Sequence, residues 1–275
     1  MSMTDRPPRR PEPPRRPERS HPADRFGKGA RGARRTGPAE DGPVLLYGWH
    51  SVKAALENPA RRATKLLATE NAVRRLQEEN VPLPFTPEVV KPDAIAARLS
   101  ADAVHQGLLA EAEPLPERDI EDLPDDGLVL VLDQITDPHN VGAIVRSAAA
   151  FAVSAVVTTA RHSPAATGVL AKAASGAIDV VPMVTVQNLA RGIAALKARG
   201  YLTVGLDSDA AEDLAAVPLR RPVAIVLGAE GKGLRRLTRV TCDTVARLDL
   251  PGAIKSLNVS NAAALALYVA TRARD

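Results

Sequence analysis

Short apolar runs alternate with helix-like segments throughout residues 127–275. The run Leu128–Leu132 is apolar at every position, which is typical of a strand buried on both faces. Similar runs predict five further strands, at Ala155–Thr159, Val180–Val184, Leu202–Leu206, Val223–Leu227 and Val245–Leu248. Helices are predicted at Val141–Phe151, Thr167–Ala174, Leu189–Ala198, Leu234–Val240 and Ser260–Arg272. This alternation predicts an α/β domain with helices covering a parallel sheet.

A smaller unit of the same kind is predicted at residues 43–110. Its strands are expected at Val44–Tyr47, Lys65–Ala68 and Leu108–Ala110, and its helices at Ser51–Leu56, Asn71–Glu79 and Pro92–Leu99. Residues 111–126 then contain eight acidic residues, three prolines and one arginine. That composition predicts a linker between the two units.

Residues 1–42 have the composition of a disordered arm. They contain 11 basic residues, 6 acidic residues and 8 prolines, and almost nothing apolar. Such a segment cannot bury enough surface to offset the entropy lost on ordering. A basic arm of this kind serves either as an electrostatic tether for RNA or DNA, or as a solubilising extension.

Composition excludes several classes of protein. The 275 residues include one cysteine, Cys242, which rules out a disulfide framework and a Cys-rich zinc site and favours a reducing, cytoplasmic compartment. The five histidines lack metal-ligand spacing, so we expect no metal. No apolar stretch is long enough for a membrane span, and the N-terminus does not resemble a secretory signal.

Three polar segments follow predicted strands of the larger domain, at the end of a parallel sheet where ligands bind. The first, DPHNVGAIVRSA, begins at Asp137 and enters a helix, so Asp137 and Asn140 could simply be caps and Arg146 a solvated charge. The second, LGAEGKGL, has three glycines around Glu230 but matches neither phosphate-loop nor dinucleotide-loop spacing. The third, SLNVSNA, clusters four polar residues where one cap would suffice, which favours a binding loop.

These three segments together resemble the signature motifs of the SpoU (TrmH-type) family of knotted RNA methyltransferases. YGWHSVKAAL from Tyr47 and VHQG from Val104 resemble the ribosomal-protein-like RNA-binding domain that precedes the catalytic domain in some members. The resemblance implies a C-terminal trefoil-knot methyltransferase domain at 127–275, a substrate-binding domain at 43–110, and a homodimer. It is greatest to members that 2′-O-methylate a guanosine of 23S ribosomal RNA with S-adenosylmethionine.

The resemblance also implies the site residues. Arg146 would be the central catalytic group, completed by Asn140, Glu230 and Asn258, with Glu230 orienting Arg146 or Asn140. Arginine stays protonated in proteins, so Arg146 is either an unusual proton acceptor or a cationic clamp on phosphate and developing charge. The cofactor-binding residues would be Thr158, Thr159, Ala160, Gly228, Leu248, Ile254, Ser256 and Leu257.

Two alternatives stay open for function. The same chemistry could act on a tRNA, or the chain could be a non-catalytic RNA-binding factor in ribosome assembly. The last predicted helix, Ser260–Arg272, is apolar on most sides, so it either completes a dimer interface or is buried within its own subunit.

Overall fold

The computed structural model describes residues 43–160 and 168–272, which form eleven strands and eight helices. The predicted disordered arm, residues 1–42, lies outside these residues, as does Thr167 of a predicted helix. The strands are β1 Val44–Tyr47, β2 Ala63–Ala68, β3 Glu88–Val89, β4 Leu108–Ala112, β5 Leu128–Asp133, β6 Ala155–Thr159, β7 Met183–Val186, β8 Leu202–Leu206, β9 Glu212–Asp213, β10 Val223–Gly228 and β11 Thr244–Arg247. The helices are α1 Trp49–Glu57, α2 Glu70–Glu78, α3 Pro92–Ala96, α4 Pro138–Ala150, α5 Gly168–Ala173, α6 Leu189–Ala198, α7 Arg236–Thr241 and α8 Val259–Arg272.

The larger sheet confirms the prediction of a parallel α/β fold. Its seven strands run in the order β7-β6-β5-β10-β8-β11-β9, and every neighbouring pair is parallel. The apolar run of β5 divides between two cores, because successive side chains of a strand point to opposite faces. Leu128, Leu130 and Leu132 lie in one buried cluster, and Val129 and Val131 lie in another.

Helices cover both faces of this sheet. Side chains of α4, α5 and α8 belong to the first buried cluster, whereas those of α6 belong to the second. Helix α4 begins at a cap that the sequence suggested, since Asp137 Oδ1 accepts a hydrogen bond from the His139 amide at 3.0 Å. Helices α4 and α8 pack side by side on the same face, which brings their N-terminal ends close together.

Residues 43–112 form a four-stranded sheet in the order β1-β4-β2-β3. Strand β4 is antiparallel to both β1 and β2, and the two-residue strand β3 is parallel to β2. Helices α1 and α2 bury Trp49, Val52 and Leu76 on one face, and Ile95 of α3 is buried on the other. This smaller α/β unit was also predicted.

The smaller unit packs against residues 170–179 of the larger unit, which lie in α5 and in the short 3-10 helix that follows it. Ser51 Oγ donates to the carbonyl oxygen of Ala171 at 3.0 Å, and Arg61 Nε donates to Asp179 Oδ1 at 2.7 Å. Both side chains of the Arg61–Asp179 pair are 3% exposed. A Cβ on Gly176 would lie 2.6 Å from the carbonyl oxygen of His50, so the two backbones approach closely. The contact therefore has a dry, hydrogen-bonded centre.

Two predicted elements need correction. The strand expected at Val180–Val184 is Met183–Val186, because residues 177–179 form a short 3-10 helix that leaves Val180 exposed. The helix expected at Leu234–Val240 begins at Arg236, because the backbone of Arg235 is bonded to Asp133. Most other boundaries differ by one to three residues.

The acidic segment 111–126 is more ordered than its composition predicts. Its first two residues belong to β4, which pairs with β1 as far as Ala112. Ile120 and Leu123 are buried, and Arg199 donates hydrogen bonds to both of their carbonyl oxygens. The buried residues Ile120 and Leu123 thus attach this acidic segment to the larger domain.

Candidate active site

The polar segments singled out in the sequence meet at one edge of the larger sheet. Strand β5 ends at Asp133, just before the first segment, and β10 ends at Gly228, at the glycine-containing loop. Asp133 and Gly228 are direct partners in the parallel β5–β10 pairing. The two segments therefore leave the sheet side by side, as the sequence predicted from the strand ends.

The larger sheet opens between β5 and β6. Pairing of β5 with β6 stops at Val131 and Val157, whereas β6 stays paired with β7 as far as Thr159 and Val186. Strands β5 and β6 therefore separate at their carboxyl ends. In parallel α/β sheets a crevice of this kind is the usual place for a ligand.

The loop after β10 doubles back onto its first residue. The amide of Gly233 donates to the carbonyl oxygen of Ala229 at 2.8 Å, and a Cβ on Gly228 would lie only 2.1 Å from the carbonyl carbon of Gly233. Gly231 has a φ of +72°, which favours glycine. Glu230 stands exposed at the tip. The glycines therefore allow a tight backbone turn that presents Glu230 at the sheet edge.

Two predicted catalytic residues, Asn140 and Asn258, are joined directly. Asn258 Oδ1 accepts hydrogen bonds from the amide of Ser260 at 2.9 Å and from its hydroxyl at 2.6 Å, so Asn258 caps α8. The Nδ2 group of the same side chain donates to Asn140 Oδ1 at 3.0 Å. One amide thus caps a helix and also links the first and third polar segments.

Arg146 and Glu230 do not join this pair. Arg146 lies exposed on α4, six residues after Asn140, which places the two side chains about 120° apart around the helix. Within residues 43–160 and 168–272, Glu230 makes no hydrogen bond or ion pair with Arg146 or Asn140. The contact expected from Glu230 is absent there because its side chain points from an exposed loop tip. The guanidinium and the carboxylate both remain open to an approaching substrate.

The residues predicted to bind cofactor fall into two groups. Thr158 and Thr159 are buried in β6, so their side chains face the core and only their backbone lies at the sheet edge. The other group is at least partly accessible, with Ile254 the most exposed at 76%. It consists of Ala160, Gly228, Leu248, Ile254, Ser256 and Leu257. An isoleucine this exposed is suited to cover an apolar ligand surface.

Sequence reasoning missed Asp133 and Arg235. Asp133 ends an otherwise apolar strand, and its fully buried carboxylate pairs with Arg235 Nε at 2.6 Å. The signal that could have revealed it was a charged residue where a buried strand becomes a ligand-binding loop. Buried charges of this kind are almost always paired.

The thiol of Cys242 is not reactive. Burial raises the pKa of the Cys242 thiol to about 11, which keeps it protonated at neutral pH.

Among the described residues there is no group of three or more His, Cys, Asp or Glu side chains placed to hold a metal ion. Over the same residues, no helix has the length and apolarity needed to cross a membrane.

Comparisons with known proteins identify the family. The family model described as the SpoU rRNA methylase family matches residues 127–268, and a model described as RNA 2′-O ribose methyltransferase substrate binding matches residues 45–118. The chain therefore belongs to the SpoU rRNA methylase family.

Named relatives and solved structures align with most of this chain. Two curated relatives, from Vibrio cholerae and Ralstonia nicotianae, are each named 23S rRNA (guanosine-2′-O-)-methyltransferase RlmB and are each 38% identical to this chain. The alignments span 84% of this chain and 97% and 96% of the two relatives. The SpoU methyltransferase AviRb from Streptomyces viridochromogenes, solved with AdoMet, has a TM-score of 0.71 at 24% identity, over 85% of this chain and 91% of that one. That likeness supports the fold.

Proposed function

We propose that this protein transfers a methyl group from S-adenosylmethionine to the ribose 2′-hydroxyl of a guanosine in 23S ribosomal RNA. The relatives that carry this activity in their names align over nearly their whole length. The observation that carries the proposal is the hydrogen bond between Asn140 and Asn258, which unites two of the three polar segments at an open sheet edge.

The residues at the sheet edge fit S-adenosylmethionine. Gly228 brings loop backbone close to the crevice, and the exposed side chains of Ile254 and Leu257 offer an apolar cover for an adenine ring. Ala160 and Leu248 would flank the same space, and Ser256 would add a hydroxyl. When bound, the cofactor supplies a methyl group on a positively charged sulfur.

The chain's own residues would orient the substrate and stabilise charge. We assign Arg146 the cationic role, because its exposed guanidinium has no carboxylate partner among the described residues and is free to bind a phosphate of the RNA. From that position it would also stabilise negative charge developing on the 2′-oxygen. Asn140, held by Asn258, would position the hydroxyl, whose proton passes to solvent at this open edge. Glu230 would close over the substrate from the loop tip.

The smaller unit, residues 43–110, would bind the RNA, with 111–126 connecting it to a methyltransferase domain at 127–275. The family model for substrate binding supports this division. We also propose that the C-terminal segment forms the trefoil knot of the family and that the enzyme acts in the cytoplasm. Leu265 and Tyr268 remain 44% and 51% exposed on α8, although Ala263, Ala266 and Leu267 of that helix are buried. The exposed pair is suited to a homodimer contact, which light scattering at micromolar concentration would test.

The substrate is tested by mapping 2′-O-methyl groups in ribosomal and transfer RNA from strains with and without the gene. We expect one guanosine of 23S RNA to lose its methyl group, and purified enzyme to restore it. Loss of a tRNA methyl group instead would move the same chemistry to another substrate. No change in either RNA, with no cofactor binding by calorimetry, would favour the assembly factor.

The role of Arg146 is tested separately from the substrate. Arg146→Ala should lower methyl transfer by about 10²-fold or more, because the variant lacks the charge that stabilises the transition state. S-adenosylhomocysteine should bind this variant within a few-fold of wild type. Full methyl transfer by the variant would remove Arg146 from the mechanism.

A further inference from the structure

Asp133 is a buried charge that the mechanism above does not use. It is the last residue of β5, and its side chain has no exposed surface. A carboxylate removed from water in this way is strongly destabilising unless it is paired and hydrogen-bonded. Its position at the sheet edge suggests that its partner serves the site.

Both oxygens of this carboxylate bind one residue. Asp133 Oδ1 accepts a hydrogen bond from Arg235 Nε at 2.6 Å, and Oδ2 accepts one from the Arg235 backbone amide at 3.0 Å. The contact therefore fixes both the side chain and the main chain of Arg235. Charge-assisted bonds of this geometry are stronger than those between neutral groups.

The contact between Asp133 and Arg235, called the clamp from here on, joins the two ends of the glycine-containing loop. Asp133 is the direct partner of Gly228, where the loop begins, and Arg235 is the residue at which the loop ends. Between them, a Cβ placed on Gly231 or Gly233 would meet no atom within 4 Å, so the loop has open space at these two glycines, whereas Leu234 beside Arg235 is buried. A turn with three glycines has high conformational entropy unless its ends are held.

We propose that Asp133 and Arg235 are positioning residues that hold loop 229–234 in the shape needed for cofactor and substrate. The carboxylate fixes the end of the loop beside its start, so Glu230 and the backbone at Gly228 stay at the sheet edge before any ligand arrives. This inference rests on the assignment of Gly228 and Glu230 to the site. A preorganised loop binds more tightly because less ordering is left to occur on binding.

Helix α7 supplies a matched control for the clamp. Arg239, one turn beyond Arg235, pairs with Asp207, which follows β8 and has an 11% exposed side chain. Arg235→Ala removes the arginine just before α7, Arg239→Ala removes one within that helix, and each loses one ion pair to a carboxylate at a strand end. Only Arg235 closes the glycine loop, so any general loss of stability should appear in both variants.

The decisive measurement is hydrogen–deuterium exchange of amides 229–234 in the full-length protein without cofactor. Arg235→Ala should raise their exchange rates by about tenfold or more, whereas Arg239→Ala should leave them unchanged. Arg235→Lys, which can still donate to Oδ1, should restore part of the protection. Equal exchange in the Arg235→Ala and Arg239→Ala variants would overturn the clamp.

Binding and turnover give a second readout. Arg235→Ala should weaken S-adenosylhomocysteine binding and raise the cofactor KM by about tenfold, with a smaller effect on kcat at saturation. Unchanged binding despite a mobile loop would refute the positioning role. Glu230→Ala separates this inference from the site assignment. If that variant keeps wild-type turnover, Glu230 leaves the site, whereas the exchange data still decide whether the clamp exists.

Discussion

The buried pair between Arg61 and Asp179 gives the most quantitative prediction, which is that Arg61→Ala destabilises the contact between the two sheets. Both side chains are 3% exposed, so removing the guanidinium leaves a carboxylate in a dry interface. Loss of one member of a buried pair costs about 3–5 kcal/mol. Asn58 Nδ2 still donates to Asp179, to its carbonyl oxygen at 3.0 Å and to Oδ1 at 3.3 Å. We therefore expect the lower limit, about 3 kcal/mol, which is about 10²-fold in the unfolding equilibrium.

Urea unfolding with two probes measures this effect. Trp49 is the only tryptophan and is buried in the smaller unit, so its fluorescence reports that unit, whereas circular dichroism reports the whole chain. In Arg61→Ala the fluorescence transition should move to lower urea and precede the dichroism transition. Arg62→Ala is the control, because Arg62 and its partner Glu113 are 76% and 51% exposed and such pairs contribute about 0–1 kcal/mol.

The double variant tests the cause of the loss. Arg61→Ala combined with Asp179→Ala removes the stranded carboxylate, so it should recover part of the stability lost in Arg61→Ala. The reasoning is wrong if Arg61→Ala and Arg62→Ala unfold within about 0.5 kcal/mol of each other. A double variant less stable than Arg61→Ala would also contradict it.

Four further outcomes are expected. Asn258→Ala should lose both activity and about 0.5–2 kcal/mol of stability. Asn258→Ser should keep the α8 cap but is too short to reach Asn140, so it should lose activity alone. Equal activity losses without a stability difference would contradict this. Gly228→Ala should abolish S-adenosylhomocysteine binding measured by calorimetry, because its Cβ would overlap the Gly233 backbone, and normal binding would show that the loop can shift. Burial opposes ionisation of Asp243, but hydrogen bonds from Lys197 and Thr203 outweigh it and lower the pKa of this carboxyl below 3.8. Asp243→Asn should therefore reduce the melting temperature at pH 7. The difference from wild type should disappear as the pH falls through the folded-state pKa of Asp243. Deleting residues 1–42 should reduce the salt dependence of RNA binding without changing cofactor affinity, and an unchanged slope would identify a solubilising tail.

Local pattern was enough to predict the layers of the fold. The run Leu128–Leu132 is apolar at every position because both faces of its strand are covered, and that is visible without any partner being known. The same reasoning failed at Val180, which is apolar but 68% exposed, because a turn after Gly176 uses its backbone before the strand begins. For segment 111–126 the acidic composition predicted a linker, and the structure adds that Ile120 and Leu123 are buried, which composition alone does not reveal.

The sequence by itself determined the fold class, the two α/β units and the three polar segments to which we assign the chemistry, because each depends on residues close together in the chain. Only the tertiary structure decided which side chains meet. Asn140 and Asn258 are 118 residues apart, and Asp133 and Arg235 are 102 apart, yet each pair is within hydrogen-bond distance. Such contacts depend on strand order and helix packing, which no local periodicity encodes. The same packing left Glu230 apart from Arg146 and made Asp133, an unremarked residue at a strand end, the anchor of the loop.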